Sequence, residues 1–455
     1  MKTFRYIIIA AAAICAPASA LAQASYSGYF LDNYVHRYQL NPALRDTTEK
    51  AFFTFPALGN LNAGMNGNLH TTSLVYNVNG KTVLFTSPDV PASDVLSKIH
   101  SKNRLGVAMN MDILAAGWKA WGGYNAVTIS AVADANVGVP GELFKLVKEG
   151  ISNKTYDIKN FMANASAYAK IQLNHSRDIK QVPGLRVGAA LKFYLGLGNV
   201  DAYFNEAQLE LGQDAWIART NADVYASVKG LSYQRKYNDK TDRYYVNGVD
   251  MDGFGLTGFG LGFDLGGTYK WRDFNFSAAV LDLGFISWSN TQFASTDGTQ
   301  TVNTDGYIFG TEKGQADDEW DRLSDDLSNL YQLTDHGDMG ARTRAARATL
   351  NFGVSYVLPY YRNLTFGILN STRLHGRFTS TDFRFSANVM PVKCFSASAN
   401  FTAGTFGVGF GWLVNLNVKG FSLFVGMDRT FGKLAKQGVP LNSNGDFNFG
   451  INFPL

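Results

Sequence analysis

The sequence predicts an all-β fold, namely a closed antiparallel transmembrane β-barrel of about fourteen strands with a short plug-like segment near its N-terminus. Three observations predict it: an unusual composition, an export signal and long runs of alternating residues. Charged residues make up 17% of the 455 residues, against about 25% in soluble proteins. Aromatic residues make up 14%, and 46 residues are glycine. This composition is typical of strands and tight turns whose outer surface does not face water.

The first residues have the organisation of an export signal. Two basic residues precede an apolar stretch at 7–16, and Ala20-Leu21-Ala22 forms a small-x-small cleavage site. The apolar stretch is too short to be a membrane anchor, since a spanning helix needs about 20 residues. We therefore predict a signal peptide at residues 1–22, with a mature chain that begins at Gln23. An exported chain without a later long apolar run is a soluble exported β-protein or a barrel of the bacterial outer membrane.

Alternation of period two decides between these two classes. In the run 406–418 every even position is apolar, whereas the odd positions hold glycine or polar residues except at Leu413. This run is much longer than the strands of soluble proteins, which average about five or six residues. Lipid-facing residues alternate with lumen-facing ones in this way along transmembrane strands. The same alternation occurs at 104–113, 186–195, 261–272, 382–389 and 447–455.

The remaining chain supplies the other expected strands and the domain boundaries. We assign residues 23–50 to the plug-like segment and 51–455 to the barrel, with a long irregular loop at 290–342. The run at the C-terminus would close the barrel on its first strand and leave no free edge. Further strands are expected near 66–78, 122–137, 163–177, 220–237, 273–288, 345–358, 363–376, 392–402 and 420–431.

Two segments depart from the strand pattern. Residues 140–150 begin with proline, end with glycine and carry an apolar stripe, which predicts a short amphipathic helix. The acidic stretch Asp317–Leu333 has helical spacing and is either a solvated helix in a long loop or a lid or partner-binding loop, with calcium as an option for the second reading. Its carboxylates lack the glycine-containing spacing of a calcium loop, which favours the solvated helix.

The sequence contains no set of residues that predicts an enzyme or a cofactor site. The glycines between Gly253 and Gly258 match a dinucleotide fingerprint, but a strand pattern follows them where that motif requires a helix. The six histidines have no metal-ligand spacing, and Cys394 is the single cysteine of the mature chain. His175 and Ser176 are strand neighbours whose side chains point to opposite faces, so they do not form a catalytic pair. We expect neither a cofactor nor nucleic acid, since the net charge is only +4.

Charged residues at the polar positions of the predicted strands are candidates for the lumen of the barrel. Two roles are open for them: they either pair with one another inside a closed lumen or line the path of a cargo. These candidate lumen charges are Arg186, Lys192, Asp264, Lys270, Arg272, Asp382 and Arg384.

The mature N-terminus does not fit a lipid-facing strand. Polar residues between 23 and 45 follow no consistent parity, and unpaired backbone groups in hydrocarbon would each cost several kcal/mol. The Asn41-Pro42 pair predicts a turn, because proline fixes its own φ and disfavours helix at Asn41. We expect this segment to plug the lumen, with Tyr29, Phe30 and Tyr34 against the wall. The alternative is a disordered periplasmic tail.

The order of several short motifs resembles a known family. These motifs are Asn41-Pro-Ala-Leu44, Phe53-Thr-Phe-Pro-Ala-Leu58, Ser73-Leu-Val-Tyr-Asn77, Val139–Val147 and Val187–Phe193. Together they resemble a family of outer-membrane proteins of unknown function from the Bacteroidota. That family is more distantly similar to the fatty-acid transporter FadL and to PorV barrels. The resemblance implies fourteen strands and an N-terminal plug with an Asn-Pro-Ala turn. Leu44 departs from the glycine usual there.

Two functions follow as hypotheses. The first is an outer-membrane barrel, embedded in lipid, that binds or passes a small hydrophobic molecule. The second is a scaffold that does not transport and belongs to a secretion or assembly complex with other outer-membrane proteins. A cargo-sized lumen or a lateral opening would favour the first hypothesis, and fixed protein partners would favour the second.

Overall fold

The computed structural model describes residues 25–45, 51–149, 154–159, 161–211, 215–239, 242–296, 299–303, 332–432 and 443–455. The predicted signal peptide at 1–22 and nearly all of the acidic stretch Asp317–Leu333 lie outside these residues. Among the described residues, no helix is long and apolar enough to cross a membrane.

Fourteen antiparallel strands form one closed barrel, as predicted. Each strand pairs with the next along the chain, and the last pairs with the first through Phe53 and Phe453. The first seven are β1 (Ala51–Thr54 and Leu61–Gly67), β2 (Lys102–Ala120), β3 (Gly123–Pro140), β4 (Met162–Asp178), β5 (Leu185–Leu211), β6 (Gly258–Trp271) and β7 (Phe274–Trp288). The others are β8 (Arg342–Ala345 and Thr349–Val357), β9 (Leu364–Arg373), β10 (Ser380–Val392), β11 (Phe395–Gly404), β12 (Gly407–Val418), β13 (Phe421–Met427) and β14 (Gly445–Pro454).

The two ends of the barrel differ in the length of their connections. At one end, which we call the short-turn end, pairs such as Trp121-Gly122 join neighbouring strands. Both residues of this pair have positive φ, at 54° and 69°, as the tight hairpin turn that matches strand twist requires. At the opposite end, the loop end, most connections are longer. They carry the helices α1 (Thr71–Leu74), α2 (Ala92–Leu96) and α3 (Gly141–Glu149), a hairpin of Val75–Val78 with Lys81–Leu84, and a 3-10 turn at Gly376–Phe378.

The sheet of the barrel wall extends beyond the loop end. The C-terminal half of β5 pairs with Ala215–Val228, whereas its N-terminal half pairs with β6. Ala215–Val228 also pairs with Thr291–Ser295 and Thr299–Asn303, and Thr291–Ser295 pairs with Thr334–Asp338. We call this the outer sheet; the hairpin of Leu231–Asn238 with Arg243–Met251 follows its strand Ala215–Val228.

Three expectations about strands were wrong. The described ends of the 290–342 loop are not irregular, because they pair within the outer sheet. The expected strand at 220–237 belongs to that sheet and its hairpin, and most of 66–78 forms α1 and a small hairpin. The first wall strand, β1, was missed because it is interrupted and has no continuous alternation.

Inward and outward residues alternate, and bulges reset the alternation. On β12 the outward Phe410 is 54% exposed, whereas the inward Leu413 and Asn415 are buried. A bulge at Ile113 in β2 and another near Asp282 in β7 each add one residue. Because side chains have period two, one extra residue exchanges the two faces. The bulge at Asp282, where φ is +54°, turns this carboxylate into the lumen.

Candidate functional site

The chain at 25–45, which we call the N-terminal segment, lies inside the barrel. It contains two short 3-10 helices, Tyr26–Gly28 and Val35–Gln39. Tyr29, Tyr34 and Tyr38 are at most 1% exposed. The segment forms no sheet with the wall, so side chains of the wall must satisfy its polar groups.

The start of the N-terminal segment is bound by one carboxylate at the loop-side end of β13. Asp428 accepts hydrogen bonds from Ser25 Oγ at 2.9 Å and from Tyr26 N at 2.7 Å. It also accepts from the backbone N and the Oγ of Ser27, both at 2.6 Å. Hydrogen bonds to a charged acceptor are about twice as strong as neutral ones, so Asp428 is a firm attachment point.

The middle of the N-terminal segment contacts the regular wall of β11, β12 and β13. Ser396 Oγ donates to Asn33 Oδ1 at 2.5 Å, and Asn415 Nδ2 donates to the Asn33 carbonyl at 3.1 Å. Nearby, Tyr34 packs edge-on against Phe424, with ring centroids 5.0 Å apart. Polar and apolar inward residues of this wall therefore both hold the segment.

The Asn41-Pro42 turn fits against a pair of inward glycines. Asn41 Oδ1 accepts from Ala43 N at 2.9 Å, which closes the turn, and Asn41 Nδ2 donates to the Ala278 carbonyl at 3.2 Å. A Cβ atom on Gly188 would lie 2.3 Å from Pro42, and one on Gly266 would lie 2.1 Å from Asn41 Oδ1. Glycine is needed at both positions because the turn approaches the wall backbone so closely.

The wall is interrupted at β1. Thr54 faces Asn452 and Leu61 faces Phe449, so six residues of β1 span the same distance as two of β14. The six residues, 55–60, contain Pro56, which cannot donate to a ladder, and Ala57 has φ of +61°. A few hydrogen bonds still close the gap, including Ala57 N to the Ile113 carbonyl at 3.1 Å.

Behind this break lies a buried polar cluster, the His36–Asp112 cluster, formed by His36, Gln39, Asn60, Asp112 and Ser130. Asp112 accepts from Gln39 Nε2 at 2.7 Å, Asn60 Nδ2 at 3.0 Å and Ser130 Oγ at 2.8 Å. The N-terminal segment, the break in β1 and the wall strands β2 and β3 thus meet at one carboxylate.

His36 connects this cluster to the backbone of the break. Its Nε2 lies 3.0 Å from the Gly59 carbonyl, an obligate acceptor, so Nε2 carries a hydrogen. Its Nδ1 lies 3.5 Å from Asp112 Oδ2. Burial lowers the pKa of His36, while Asp112 and the hydrogen bonds to Asn452 and Gly59 partly oppose this effect. The docked segment therefore favours a neutral imidazole.

Two of the candidate lumen charges form one ion network with an unpredicted carboxylate. Lys192 Nζ lies 2.8 Å from Asp264 Oδ1 and 2.7 Å from Asp282 Oδ1. Asp282 also accepts from Tyr194 Oη at 2.9 Å. The sequence did not indicate Asp282, because the bulge that turns it inward also breaks the alternation around it.

Three other candidates pair at separate places. Arg384 binds Asp382 at 3.0 Å, and Arg429, which was not predicted, binds the same carboxylate at 2.9 Å. Arg186 donates to the Ala43 carbonyl at 2.9 Å and binds Asp178, also at 2.9 Å. These side chains pair within the lumen or at its short-turn end.

The structure does not bring Lys270 and Arg272 into these networks. Both are exposed at the short turn between β6 and β7, where Arg272 has φ of +54° and its guanidinium lies 5.1 Å from the Trp271 ring centroid. Their parity in the sequence was that of a lumen position, but the strand ends there and the side chains reach water.

A small cavity remains above the N-terminal segment, towards the loop end. Its volume is ≈ 40 Å³, and its lining includes Tyr26, Asn110, Lys170, Lys192 and Arg373. This space has room for ordered water or one small polar group, whereas the pockets of drug-sized ligands measure about 300–1,000 Å³. In the described part of the chain, no group of three or more His, Cys, Asp or Glu residues is arranged to hold a metal ion.

Comparison with known proteins assigns a family to the chain. A model for a family of unknown function, DUF5723, matches residues 42–428, and the chain belongs to this family. No curated protein matches the chain in sequence. The matched range begins in the Asn41-Pro42 turn and ends at Asp428, which binds the start of the N-terminal segment.

Several solved structures are similar to the chain at very low identity. The toluene transporter TbuX of Ralstonia pickettii is 9% identical, with a TM-score of 0.42 over 95% of this chain and 96% of that one. The toluene transporter TodX of Pseudomonas putida is 8% identical, with a TM-score of 0.37 over 96% and 95%. The translocator domain of the autotransporter NalP from Neisseria meningitidis is 7% identical, with a TM-score of 0.31 over 90% and 88%.

Proposed function

We propose that this DUF5723 protein is exported by its signal peptide to the outer membrane and passes a small hydrophobic molecule through a gated barrel. One observation carries the proposal. A closed barrel holds its own N-terminal segment in the lumen through side-chain contacts, without a shared sheet. Such a segment can leave or shift while the wall stays intact, so we assign it the role of a plug.

The outer surface of the barrel supports its placement in a membrane. Apolar side chains face outwards along the strands, as Phe410 does on β12. Aromatic residues are exposed at the short-turn end, among them Trp121, Trp271 and Tyr361, as in the aromatic girdles of outer-membrane barrels. Short turns face the periplasm in such barrels, so the loop end and the outer sheet would face the exterior.

The break in β1 supplies a route for a hydrophobic cargo. Phe55 and Leu58 in the break, and Ile113 and Leu114 beside it on β2, are exposed apolar residues on the outer face. The His36–Asp112 cluster closes the inner side of the same place. Movement of the N-terminal segment would remove His36 and Gln39 from this cluster and join the lumen to the lipid-facing surface.

Locking the plug tests the proposal. Ser396 Oγ and Asn33 Oδ1 are 2.5 Å apart, so Asn33→Cys with Ser396→Cys, in a Cys394→Ser background, places two thiols at one contact. We would measure entry of the fluorescent hydrophobic probe 1-N-phenylnaphthylamine into cells with and without the barrel. Oxidation should reduce entry to the level of cells without the barrel, and reduction should restore it.

Each single-cysteine variant serves as a control, and mobility on a non-reducing gel reports the crosslink. The proposal that the barrel passes hydrophobic molecules would be rejected if probe entry is the same in three kinds of cell: those with the crosslinked barrel, those with the reduced barrel and those without the barrel.

A scaffold role is the second candidate, and one observation favours it. The cavity of ≈ 40 Å³ is smaller than any ordinary cargo, whereas the outer sheet offers a surface beyond the loop end to other proteins. Native purification followed by mass spectrometry distinguishes the two roles. A scaffold retains the same protein partner at constant stoichiometry, and loses it when the hairpin of Leu231–Asn238 with Arg243–Met251 is deleted.

A further inference from the structure

Among the described residues, two cations of the lumen form no direct ion pair. Lys170 on β4 and Arg373 at the end of β9 both line the ≈ 40 Å³ cavity. Within the described residues, neither side chain forms a hydrogen bond or an ion pair, and Nε of Arg373 is buried. A positive charge removed from water is strongly unfavourable unless an anion or bound water compensates it.

The neighbouring carboxylates already have partners. Asp134 contacts Arg347, and Asp264 and Asp282 both contact Lys192. Asp112, whose charge also acts on Lys170, accepts hydrogen bonds from Gln39, Asn60 and Ser130. Lys170 and Arg373 therefore lie near carboxylates that other groups already bind, and both cations remain available to an anion that enters the cavity.

The histidine beside these cations, His375, is affected by their positive charges. His375 follows β9, and its Nε2 lies 3.4 Å from Asn164 Nδ2. Burial lowers the pKa of His375 to about 2, and the charges of Arg347, Arg373 and Arg344 contribute to the lowering. Burial disfavours a charge of either sign at this place, whereas the three arginines disfavour another cation and favour an anion.

We infer that Lys170 and Arg373 form a binding site for one carboxylate or phosphate-type group. The cavity accommodates such a group but no attached body of larger size, which would have to extend towards the loop end. The inference adds a head-group chemistry to the cargo and in that respect rests on the proposed function. The site itself stands on the two unpaired cations, whether or not the barrel transports.

Binding to the purified full-length barrel in a non-ionic detergent tests the site. Titration calorimetry with inorganic phosphate, octanoate and octanol separates a free anion, an anionic amphiphile and a neutral amphiphile. In the double variant Lys170→Gln/Arg373→Gln, we expect the affinity for octanoate or phosphate to fall by about tenfold or more. A loss of this size is typical when a buried charge loses its partner. Octanol should bind equally to both proteins.

Two further variants make the result specific. Lys119→Gln removes an exposed cation at the short-turn end and should leave anion binding unchanged. Arg373→Lys keeps the charge and should retain binding, and heat-dependent gel mobility confirms that each barrel is folded. Tighter binding of octanoate than of phosphate indicates an amphiphile, whereas equal binding indicates a free anion.

The inference is overturned if the folded wild type binds neither anion, or binds both as well as the double glutamine variant does. Because titration requires no passage, its failure is distinguishable from failure of the transport proposal. A barrel that binds octanoate but does not admit the fluorescent probe would retain the anion site and lose the transport role.

Discussion

Two parts of the barrel wall hold the N-terminal segment in different ways. The wall of β11, β12 and β13 is regular: its ladder runs unbroken from Phe395–Leu416 to Gly404–Gly407, and its inward residues contact Asn33 and Tyr34. The wall at β1 is interrupted over 55–60, and the segment itself supplies His36 and Gln39 to close it. The first region has a complete backbone ladder of its own, whereas the second is completed by the segment.

This difference separates the structural wall from the proposed gate. In the regular wall, ladder hydrogen bonds pair the backbone N–H and C=O groups of the strands, and the side chains only add contacts to the N-terminal segment. In the interrupted wall, side chains replace part of the ladder, and side-chain contacts can exchange without unfolding the sheet. Substitutions of the side chains that complete the interrupted wall should therefore affect both stability and closure, whereas substitutions in the regular wall should affect stability alone.

Loss of Asp112 should have the largest effect. Asp112→Ala removes the acceptor of three hydrogen bonds and leaves three buried donors unpaired, each of which costs about 1–3 kcal/mol. Urea unfolding of the barrel in lipid vesicles measures the loss. Asp112→Asn keeps the shape of the side chain and should cost less. An Asp112→Ala barrel as stable as the wild type would remove the distinction between the two walls.

A charge on the lipid face of the regular wall should have the next largest effect. Phe410→Arg places a cation among lipid tails and should cost about 2–4 kcal/mol near the midplane of the bilayer. Folding into vesicles gives the free energy, and Phe410→Leu is the matched apolar control. The plug should remain docked in whatever fraction folds. A neutral Phe410→Arg would show that β12 does not face lipid.

Displacing the Asn41-Pro42 turn from the barrel wall should have a moderate effect on the docking of the N-terminal segment. A Cβ atom on Gly188 would overlap Pro42, and such overpacking costs about 1–3 kcal/mol. We expect Gly188→Ala to expose the N-terminal segment to protease while the barrel stays folded. Gly267→Ala on the facing strand is the control, since its Cβ would meet only the Arg186 carbonyl, at 3.7 Å. Equal protease sensitivity of both variants would contradict the close fit.

The smallest effect should be a pH dependence of docking. Burial lowers the pKa of His36 in the docked state, so the released segment binds a proton more readily than the docked one. Docking is therefore strongest above the ordinary histidine pKa of about 6.5 and weakens as the pH falls below it. Protease protection of the segment between pH 8 and pH 5 should show this slope. In His36→Gln, protease protection should not depend on pH. A pH dependence that persists in this variant would show that another group causes it.

The sequence alone predicted the regular parts of this fold well. Alternation identified β12 and most other wall strands, because inward and outward environments differ strongly along an unbroken ladder. It failed at β1, where Pro56 and the extra residues destroy the period, and near Asp282, where a bulge exchanges the faces. The outer sheet was missed because its strands, such as Thr334–Asp338, are short and pair only through contacts distant in sequence.

The candidate site was predictable only where local chemistry determines it. Asn41-Pro42 specifies a turn through its own backbone restrictions, whereas the glycines that receive it depend on the register of β5 and β6. Lys192 and Asp264 were recognisable as inward charges from parity. The pairing of His36 with Asp112 was not, since it requires the path of the N-terminal segment through the lumen.

The central claim is that the N-terminal segment closes the lumen. The most direct test is the single-channel conductance of a barrel that lacks residues 24–40. Removal of these residues takes away both the Asp428 attachment and the His36–Asp112 contacts, so discrete open-channel currents should appear where the wild type is closed. Deletion of the loop-end hairpin at 75–84 is the control and should leave the wild type's conductance unchanged. A folded barrel without residues 24–40 that conducts no more than the wild type would contradict the account.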